Sequence, residues 1–520
     1  MSRSATILRN IASNWTGFAV NAAVTVVLTP FVLGQLGEAR YGVWMFTSSI
    51  IGSYGLLDLG FRAGVTQYLT RYLALSDYAK ANESVSSAVM ALSALGTLMA
   101  VLSIGMAYFA PRVLDFPLGM EHEAFWCILI VGFSSAVQCA FFPFTAIFTA
   151  MQRFDLANLI GVGTRLLMAG TVYAALRMGY GLVGISAATC GVSLIDYLIR
   201  WRVAYRIAPG LEISSRRVNL ARLRDMGSFG VWNFLISLTS FVSVNVPMLL
   251  IGALMPVAAV AHYGLAATLW RQIGNILAPV GQVIYPAATE LHVRGDRGLL
   301  ERLYRDGTRL MLLAAISLVL VASVWAEDFY RLWIGEQYVS GSPFPSVALL
   351  LQILLVSTVA GYAASIAGQI LLGAGLVREL ALVQIGGAGL TLTLSLSLIG
   401  SYGLVGIAVS PVIAIVLALS IGIPLVLHRT LGLHVKGFLI ACVRPLAVGA
   451  LLAIVMVCIR LTGQPGDWFH LIVHGIWAGV SVVAVVLAVG LTAEERQRFV
   501  LQPTRRLLRM KGPAAEVTTR

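Results

Sequence analysis

Tyr41-Gly42-Val43-Trp44 opens an apolar stretch that reaches Leu56-Leu57-Asp58-Leu59-Gly60-Phe61-Arg62 and runs on through Tyr68 and Tyr72. Crossing the hydrocarbon core of a bilayer takes about 20 helical residues. The stretch is long enough, so it predicts a transmembrane helix carrying Asp58 and Arg62. At i and i+4 the two would share a face, one turn apart. A charge in lipid costs between ~2.5 and ~10 kcal/mol, so such residues face a bundle interior or a wet cavity. Two readings stand open: a self-neutralising pair that locks helix packing, or a polar cavity through which a hydrophilic molecule moves.

The rest of the chain has the same character. Of its 520 residues, 58% are hydrophobic and only 11% charged, with a mean hydropathy of +0.86. Soluble domains carry about 25% charged residues, so this composition excludes one. Continuous helix signals favour an α-helical bundle over an outer-membrane barrel, whose segments alternate over about ten residues. The formal charge of +13 fits loops that face anionic lipid, and no nucleic-acid partner is expected. Cys127, Cys139, Cys190, Cys442 and Cys458 lie in apolar runs without metal-ligand spacing and read as packing residues. The apolar run from Ile11 to Leu33 is longer than a signal-peptide core of about 7–15 residues, so it is expected to stay as a first helix.

Apolar windows of ~20 residues give about fourteen spans, the first near 11–33, the second near 41–70 and the eighth near 259–288. Cations alternate with these spans. One side collects Arg71, Lys80, Arg153, Arg202, Arg206, Arg216, Arg217, Arg222, Arg294, Arg297, Arg302, Arg305 and Arg309. The other has Arg40, Arg112, Arg177, Arg331 and Arg460. The richer side is cytoplasmic by the positive-inside rule, which puts both termini there. The basic segments 200–224 and 496–511 are expected to lie on the membrane surface.

The chain also repeats. Tyr180-Gly-Leu-Val-Gly-Ile185 recurs as Tyr402-Gly-Leu-Val-Gly-Ile407, and Tyr41-Gly42 recurs as Tyr263-Gly264 in the same register, 222 residues on. A six-helix repeat keeps its orientation, so this is a parallel duplication about an axis along the membrane normal. The expected architecture is all-α: a six-helix lobe at 1–210, a second at 211–430, two further helices at 431–495 and a basic cytoplasmic tail at 496–520.

No Gly-x-x-x-x-Gly-Lys-Ser/Thr loop occurs, and no extramembrane segment collects a nucleophile with a base. His470 and His474 have the i, i+4 spacing of a metal pair, but an interfacial aqueous position is the ordinary reading, and no metal and no cofactor are expected. What remains are ionisable groups inside spans: Asp58, Arg62, Arg165 and Arg271, with Arg444 near a helix start where it can snorkel. Three deep arginines against one aspartate suit an anionic, hydrophilic substrate, because guanidinium binds phosphate and carboxylate through two parallel bonds. Asn14 and Gln272 are candidate polar lining. The competing reading is that Arg165 and Arg271 cap helix carbonyls or sit at a shallower depth.

The pattern Leu33-Gly34-x-Leu36-Gly37-x3-Tyr41-Gly42-x-Trp44, followed by Leu57-Asp58-Leu59-Gly60, resembles the Wzx-like polysaccharide transporters of the multidrug/oligosaccharidyl-lipid/polysaccharide (MOP) exporter superfamily. The resemblance covers most of the chain. It implies a MATE-like fold of two six-helix lobes plus two helices, and a flippase for undecaprenyl-diphosphate-linked oligosaccharide in the bacterial inner membrane. Lacking a nucleotide loop, the protein is expected to work by alternating access of its two lobes, driven by an ion gradient (H+ or Na+), the membrane potential or the substrate gradient, with membrane lipids as surroundings. The related peptidoglycan-precursor flippase uses cavity arginines for the diphosphate, which by analogy assigns that role to Arg62, Arg165 and Arg271.

A MATE-like cation-coupled drug exporter shares this architecture but favours acidic and aromatic cavities. A major-facilitator transporter would show Gly-x3-Asp-Arg-x-Gly-Arg-Arg after the second helix, where this chain reads Thr70-Arg71-Tyr72-Leu73-Ala74. A membrane glycan polymerase or ligase would need a substantial outer loop, whereas Ala110–Glu123 and Ala326–Phe344 are short. The topology is open to direct test. Single cysteines placed in the 200–224 loop should resist a membrane-impermeant thiol reagent in intact spheroplasts, and strong labelling there would overturn the assignment.

Overall fold

A computed structural model describes residues 3–58, 60–75, 77–113, 119–282 and 284–496. The side chains of residues 3–15 and of a few later helical positions, among them 74, 111–113, 228–233, 280, 282 and 493–494, are not part of that description. The candidate lining residue Asn14, Asp115 of the first outer segment and the expected tail beyond 496 therefore lie outside it.

Among the described residues the protein is helical, without strands. Helix α1 (Arg3–Gly52) is followed by a 3-10 turn (Ser53–Leu56) and by α2 (Phe61–Ala74). Then come α3 (Tyr78–Val113), α4 (Glu121–Ala150), α5 (Phe154–Arg177) and α6 (Gly181–Ile207). Helices α7 (Leu220–Val244) and α8 (Val246–Leu254) meet at a 42° bend. The chain continues through α9 (Val257–Gln282), α10 (Ile284–Val293), α11 (Arg297–Val324), α12 (Ala326–Ile334) and α13 (Val347–Gly373). It closes with α14 (Val377–Ala414), α15 (Ile423–Leu431), α16 (Val435–Leu461) and α17 (Trp468–Val485). Helix starts carry the expected polar caps. The side chains of Asn219, Asp296 and Asp467 accept hydrogen bonds from the backbone N–H of Ala221, Leu299 and His470 at 2.8–3.0 Å. Such caps satisfy donors that the helix itself leaves free.

Ten of the described helical runs are long and apolar enough to cross a membrane, eleven if the bent pair is one span. This is a multi-pass membrane protein. The tally is lower than the expected fourteen for a geometric reason. Two runs, Thr16–Leu56 and Val377–Leu431, have 41 and 55 residues and are interrupted by non-helical glycines at Gly37 and Gly403. The expected spans at 41–70 and 259–288 are each divided between two helices. All five cysteines are free; three are buried, Cys442 is half-buried, and Cys458 is exposed on α16.

The chain forms two compact units: residues 1–272, 333–354 and 377–419 make one, and 273–332, 355–376 and 420–520 the other. In the first, Leu69, Val85, Ile147, Phe148 and Met226 anchor a core from α2, α3, α4 and α7. In the second, Leu452, Met456 and Ala478 pack with Trp325. Burying such side chains stabilises by ~1.5–3 kcal/mol each in water, but lipid is as apolar as they are, so close packing decides helix contacts instead.

One such close approach lies where α1 meets α9. A β-carbon at Gly42 would lie 2.2 Å from the Val257 carbonyl oxygen, and one at Gly264 would lie 2.7 Å from Met45 Cε. The two glycines of the repeated Tyr-Gly pair thus mark one crossing, from both sides. The other repeated hexamer is equally consistent. Gly181 and Gly403 both have φ 55°, and the tyrosines before them are 66% and 65% exposed. Leu182 and Leu404, like Ile185 and Ile407, are buried in both copies.

Gly42→Ala should therefore destabilise the protein by ~1–3 kcal/mol, the usual penalty of overpacking, because backbone cannot move aside. Gly264→Ala should be milder, since the tip of Met45 can rotate away. Thermal unfolding in detergent measures both, and a Gly42→Ala protein as stable as the parent would refute the crossing.

Candidate functional site

The second expected span breaks where its charges lie. Helix α1 ends at Gly52, and the backbone turns through Ser53–Leu56 and Asp58 before α2 starts after Gly60. Gly60 takes φ 77°, a left-handed conformation that residues with a β-carbon disfavour. Asp58 Oδ1 accepts the Gly60 N–H at 2.8 Å, and its Oδ2 lies 3.0 Å from Arg62 Nε. The expectation that Asp58 and Arg62 share one continuous helix is thereby corrected. Only Arg62 is helical, and Asp58 belongs to the turn. An interrupted helix leaves backbone polar groups that lipid cannot solvate, and the Asp58 carboxylate satisfies one of them.

The pair survives the correction. Both side chains are largely buried, at 24% and 11% exposure for Arg62 and Asp58. The Arg62 guanidinium also stands over the Phe142 ring, 5.1 Å from its centroid. It faces a cavity of about 370 Å3 walled by Trp44, Ser48, Tyr54, Ser135, Gln138 and Thr189. That volume is at the lower end of the ~300–1,000 Å3 typical of ligand pockets. Its lining combines the Arg62 guanidinium and the polar side chains of Ser48, Tyr54, Ser135, Gln138 and Thr189 with apolar Ile51, Met99 and Val131, and includes no carboxylate.

The other candidates lie elsewhere in the same unit. Arg165 is half-buried on α5; its Nε has no hydrogen-bond partner, and Nη1 is 3.9 Å from Met168 Sδ. Arg271 on α9 lies within electrostatic reach of Tyr41 and Tyr263, the two tyrosines of the repeated pair. The Gln272 amide nitrogen is buried beside it. Trp270 lines a second cavity of about 240 Å3 with Thr239, Ser240, Ser243, Gln384 and Thr391. The three arginines thus occupy three separate environments, and neither Arg165 nor Arg271 lines the Arg62 cavity.

Arg444 is a carbonyl cap: its Nε and Nη2 donate to the Val489 and Leu491 carbonyls at 2.9 and 3.1 Å. His470 pairs with Asp467 at 2.8 Å, and His474 packs against Trp325 with ring centroids 6.2 Å apart. No group of three or more metal-ligating side chains forms among the described residues.

Two deep charge clusters escaped the sequence reading. Asp196 pairs with Arg200 at 2.7 Å on α6 and accepts a hydrogen bond from Thr164 at 3.1 Å. Its i, i+4 spacing at the end of a window was the available signal. Asp328, expected in a short outer loop, is instead fully buried on α12, 3.4 Å from Arg331 and 3.5 Å from Arg460.

Residues 7–292, more than half of the chain, match the model of a family described as polysaccharide biosynthesis protein. The chain belongs to that family. It is 20% identical over 498 residues to the uncharacterized membrane protein EpsK of Bacillus subtilis, covering 94% of this chain and 96% of that one. It is 21% identical over 421 residues to a putative O-antigen transporter of Shigella flexneri, covering 79% and 95%. A Vibrio cholerae MATE transporter superposes with a TM-score of 0.59 at 16% identity, over 84% of this chain and 99% of that one. A MOP-superfamily transporter from Pyrococcus furiosus gives 0.58 at 15%, over 85% and 96%. These two likenesses show a MATE-like fold. The chain is thus a multi-pass membrane member of the polysaccharide biosynthesis family with a MATE-like fold.

Asp58 therefore carries two separable tasks in this family member. Asp58→Asn keeps an oxygen for the Gly60 N–H and removes the charge opposite Arg62. Asp58→Ala removes both and should cost a further ~0.5–2 kcal/mol, the worth of a side-chain cap. Thermal unfolding should rank the parent above Asn and Asn above Ala; equal melting of the two variants would dismiss the capping role.

Proposed function

We propose that this protein is a flippase that moves an undecaprenyl-diphosphate-linked oligosaccharide across the bacterial inner membrane. The observation that carries the reading is the Arg62-bearing polar cavity inside a member of the polysaccharide biosynthesis family. An arginine presents two parallel N–H donors to a phosphate, and hydroxyl and amide side chains suit a sugar. The name of the Shigella relative points the same way. A cationic drug, the cargo of the alternative exporter, would meet a guanidinium with no free carboxylate in this wall.

In this reading the two lobes at 1–210 and 211–430 alternate access to the two membrane faces, with both termini in the cytoplasm. No nucleotide-binding loop occurs in the sequence, so the work is drawn from an ion gradient, from H+ or Na+, or from the substrate gradient itself. Arg62 binds the diphosphate, and Asp58 orients and neutralises it when the cavity is empty. Arg165 and Arg271 provide further cationic stations along the path, with Gln272 and Asn14 as polar lining. Arg271, within electrostatic reach of Tyr41 and Tyr263 near the α1–α9 crossing, would respond to movement there.

Arg62→Ala should lower translocation of lipid-linked oligosaccharide, measured in cells and normalised to protein level. Each lost charge-assisted contact is worth ~1.5–3 kcal/mol, a tenfold effect or more. Arg62→Lys should restore activity only in part, because an ammonium keeps the charge but lacks the fork. Full activity in an Arg62→Ala, Arg271→Ala double variant would remove both residues from the mechanism.

A further inference from the structure

A large cavity of distinct chemistry is lined by residues of the second compact unit. It opens between α10, α11 and α16 and the Thr492–Glu495 turn, with a volume of about 960 Å3. One wall is apolar, through Leu303, Leu310 and Ile440. The other brings four guanidinium groups, those of Arg302, Arg305, Arg309 and Arg444, against two carboxylates, those of Asp306 and Glu495.

The pairing leaves cationic charge over. Arg309 is bound to Glu495, whose other oxygen accepts from the Thr492 N–H at 2.9 Å. Arg305 lies 3.3 Å from Asp306. Arg444 is fixed by the carbonyls of Val489 and Leu491, which orient it without neutralising it. Arg302 is exposed and makes no ion pair among the described residues. Arg309 Nε is buried in the wall without a hydrogen-bond partner. Two cations are thus uncompensated, and one further donor is unused.

The apolar side decides what kind of anion fits. Ile440, in the wall, is 65% exposed, and its neighbour Leu439 is 58% exposed on the same helix. In a multi-pass membrane protein that surface faces acyl chains, so the cavity opens toward lipid as well as toward water. This end of α11 is also the end that the charge bias assigns to the cytoplasm, where anionic lipids concentrate.

We infer that this cavity binds the phosphate-bearing headgroup of an anionic membrane lipid, with Arg302 and Arg444 on the phosphate and Leu303 and Ile440 along the chain. A free phosphate offers the same charge but leaves the apolar wall unused. The site is separate from the proposed transport cavity, and it stands or falls independently of the cargo.

The test uses the full chain in detergent and three probes by calorimetry: short-chain phosphatidylglycerol, short-chain phosphatidylcholine and inorganic pyrophosphate. Phosphatidylglycerol should bind, and phosphatidylcholine should bind far more weakly. Arg302→Ala should weaken phosphatidylglycerol by at least about tenfold, the value of one charged contact, and Arg302→Ala with Arg305→Ala by more. Arg302 has no partner to orphan, so the melting temperature should not change. A lipid that pyrophosphate fails to displace assigns the site to the headgroup on its chain. Displacement by pyrophosphate supports the phosphate chemistry and makes the free anion a ligand too. Equal binding of the two lipids, or unchanged affinity in the double variant, would overturn the inference.

Discussion

The close approach of α1 and α9 at Gly42 and Gly264 is the constraint on which the first unit depends. In lipid, helices gain little from hiding apolar surface, so they associate where small residues let backbones come near. Here the glycines allow Val257 and Met45 to fill the space that β-carbons would take. Tyr41, Val43, Ala261, Tyr263 and Leu265 are buried around them. From that fixed point α1 runs on to Gly52, and the turn beyond it sets Arg62 at the mouth of α2. The Arg62 cavity is thus placed by packing several turns away.

How much of this was legible in the sequence depends on the kind of signal. The all-helical membrane architecture was legible because apolar length alone decides it. The repeated Tyr-Gly and Tyr-Gly-Leu-Val-Gly-Ile strings were legible as a duplication, and the structure adds their physical content: a close crossing in one case, a shared φ of 55° in the other. The break at Asp58 was not legible. Hydropathy cannot say which of Gly52, Gly55 and Gly60 turns left-handed, and Asp58 and Arg62 have helical spacing whether or not a helix joins them. Asp196 was hidden by its position at a window edge. Asp328 was hidden because a nine-residue helix in a polar segment looks like a loop.

Charge in this protein is handled in two ways. Some pairs join distant segments: Arg40 to Glu123, Arg222 to Glu83, Arg460 to Asp328, Arg309 to Glu495. Within single long segments the pairs are local, Asp58 with Arg62 and Asp196 with Arg200. The arginines left outside both schemes are the informative ones. Arg165 and Arg302 have no ion pair among the described residues, and Arg271 lies within electrostatic reach of Tyr41 and Tyr263.

The locality of the Asp58–Arg62 pair also bears on how the chain is made. A nascent segment enters the bilayer before most of its later helices exist, so a cation that waited for a distant partner would be inserted alone. Opposite charges a few residues apart emerge from the ribosome together and can meet at once. The second segment can then partition into lipid as a dipole rather than as two ions, at a fraction of the penalty of either. Biogenesis and transport would place opposite demands on Arg62, and a neighbour that is present from the first moment reconciles them.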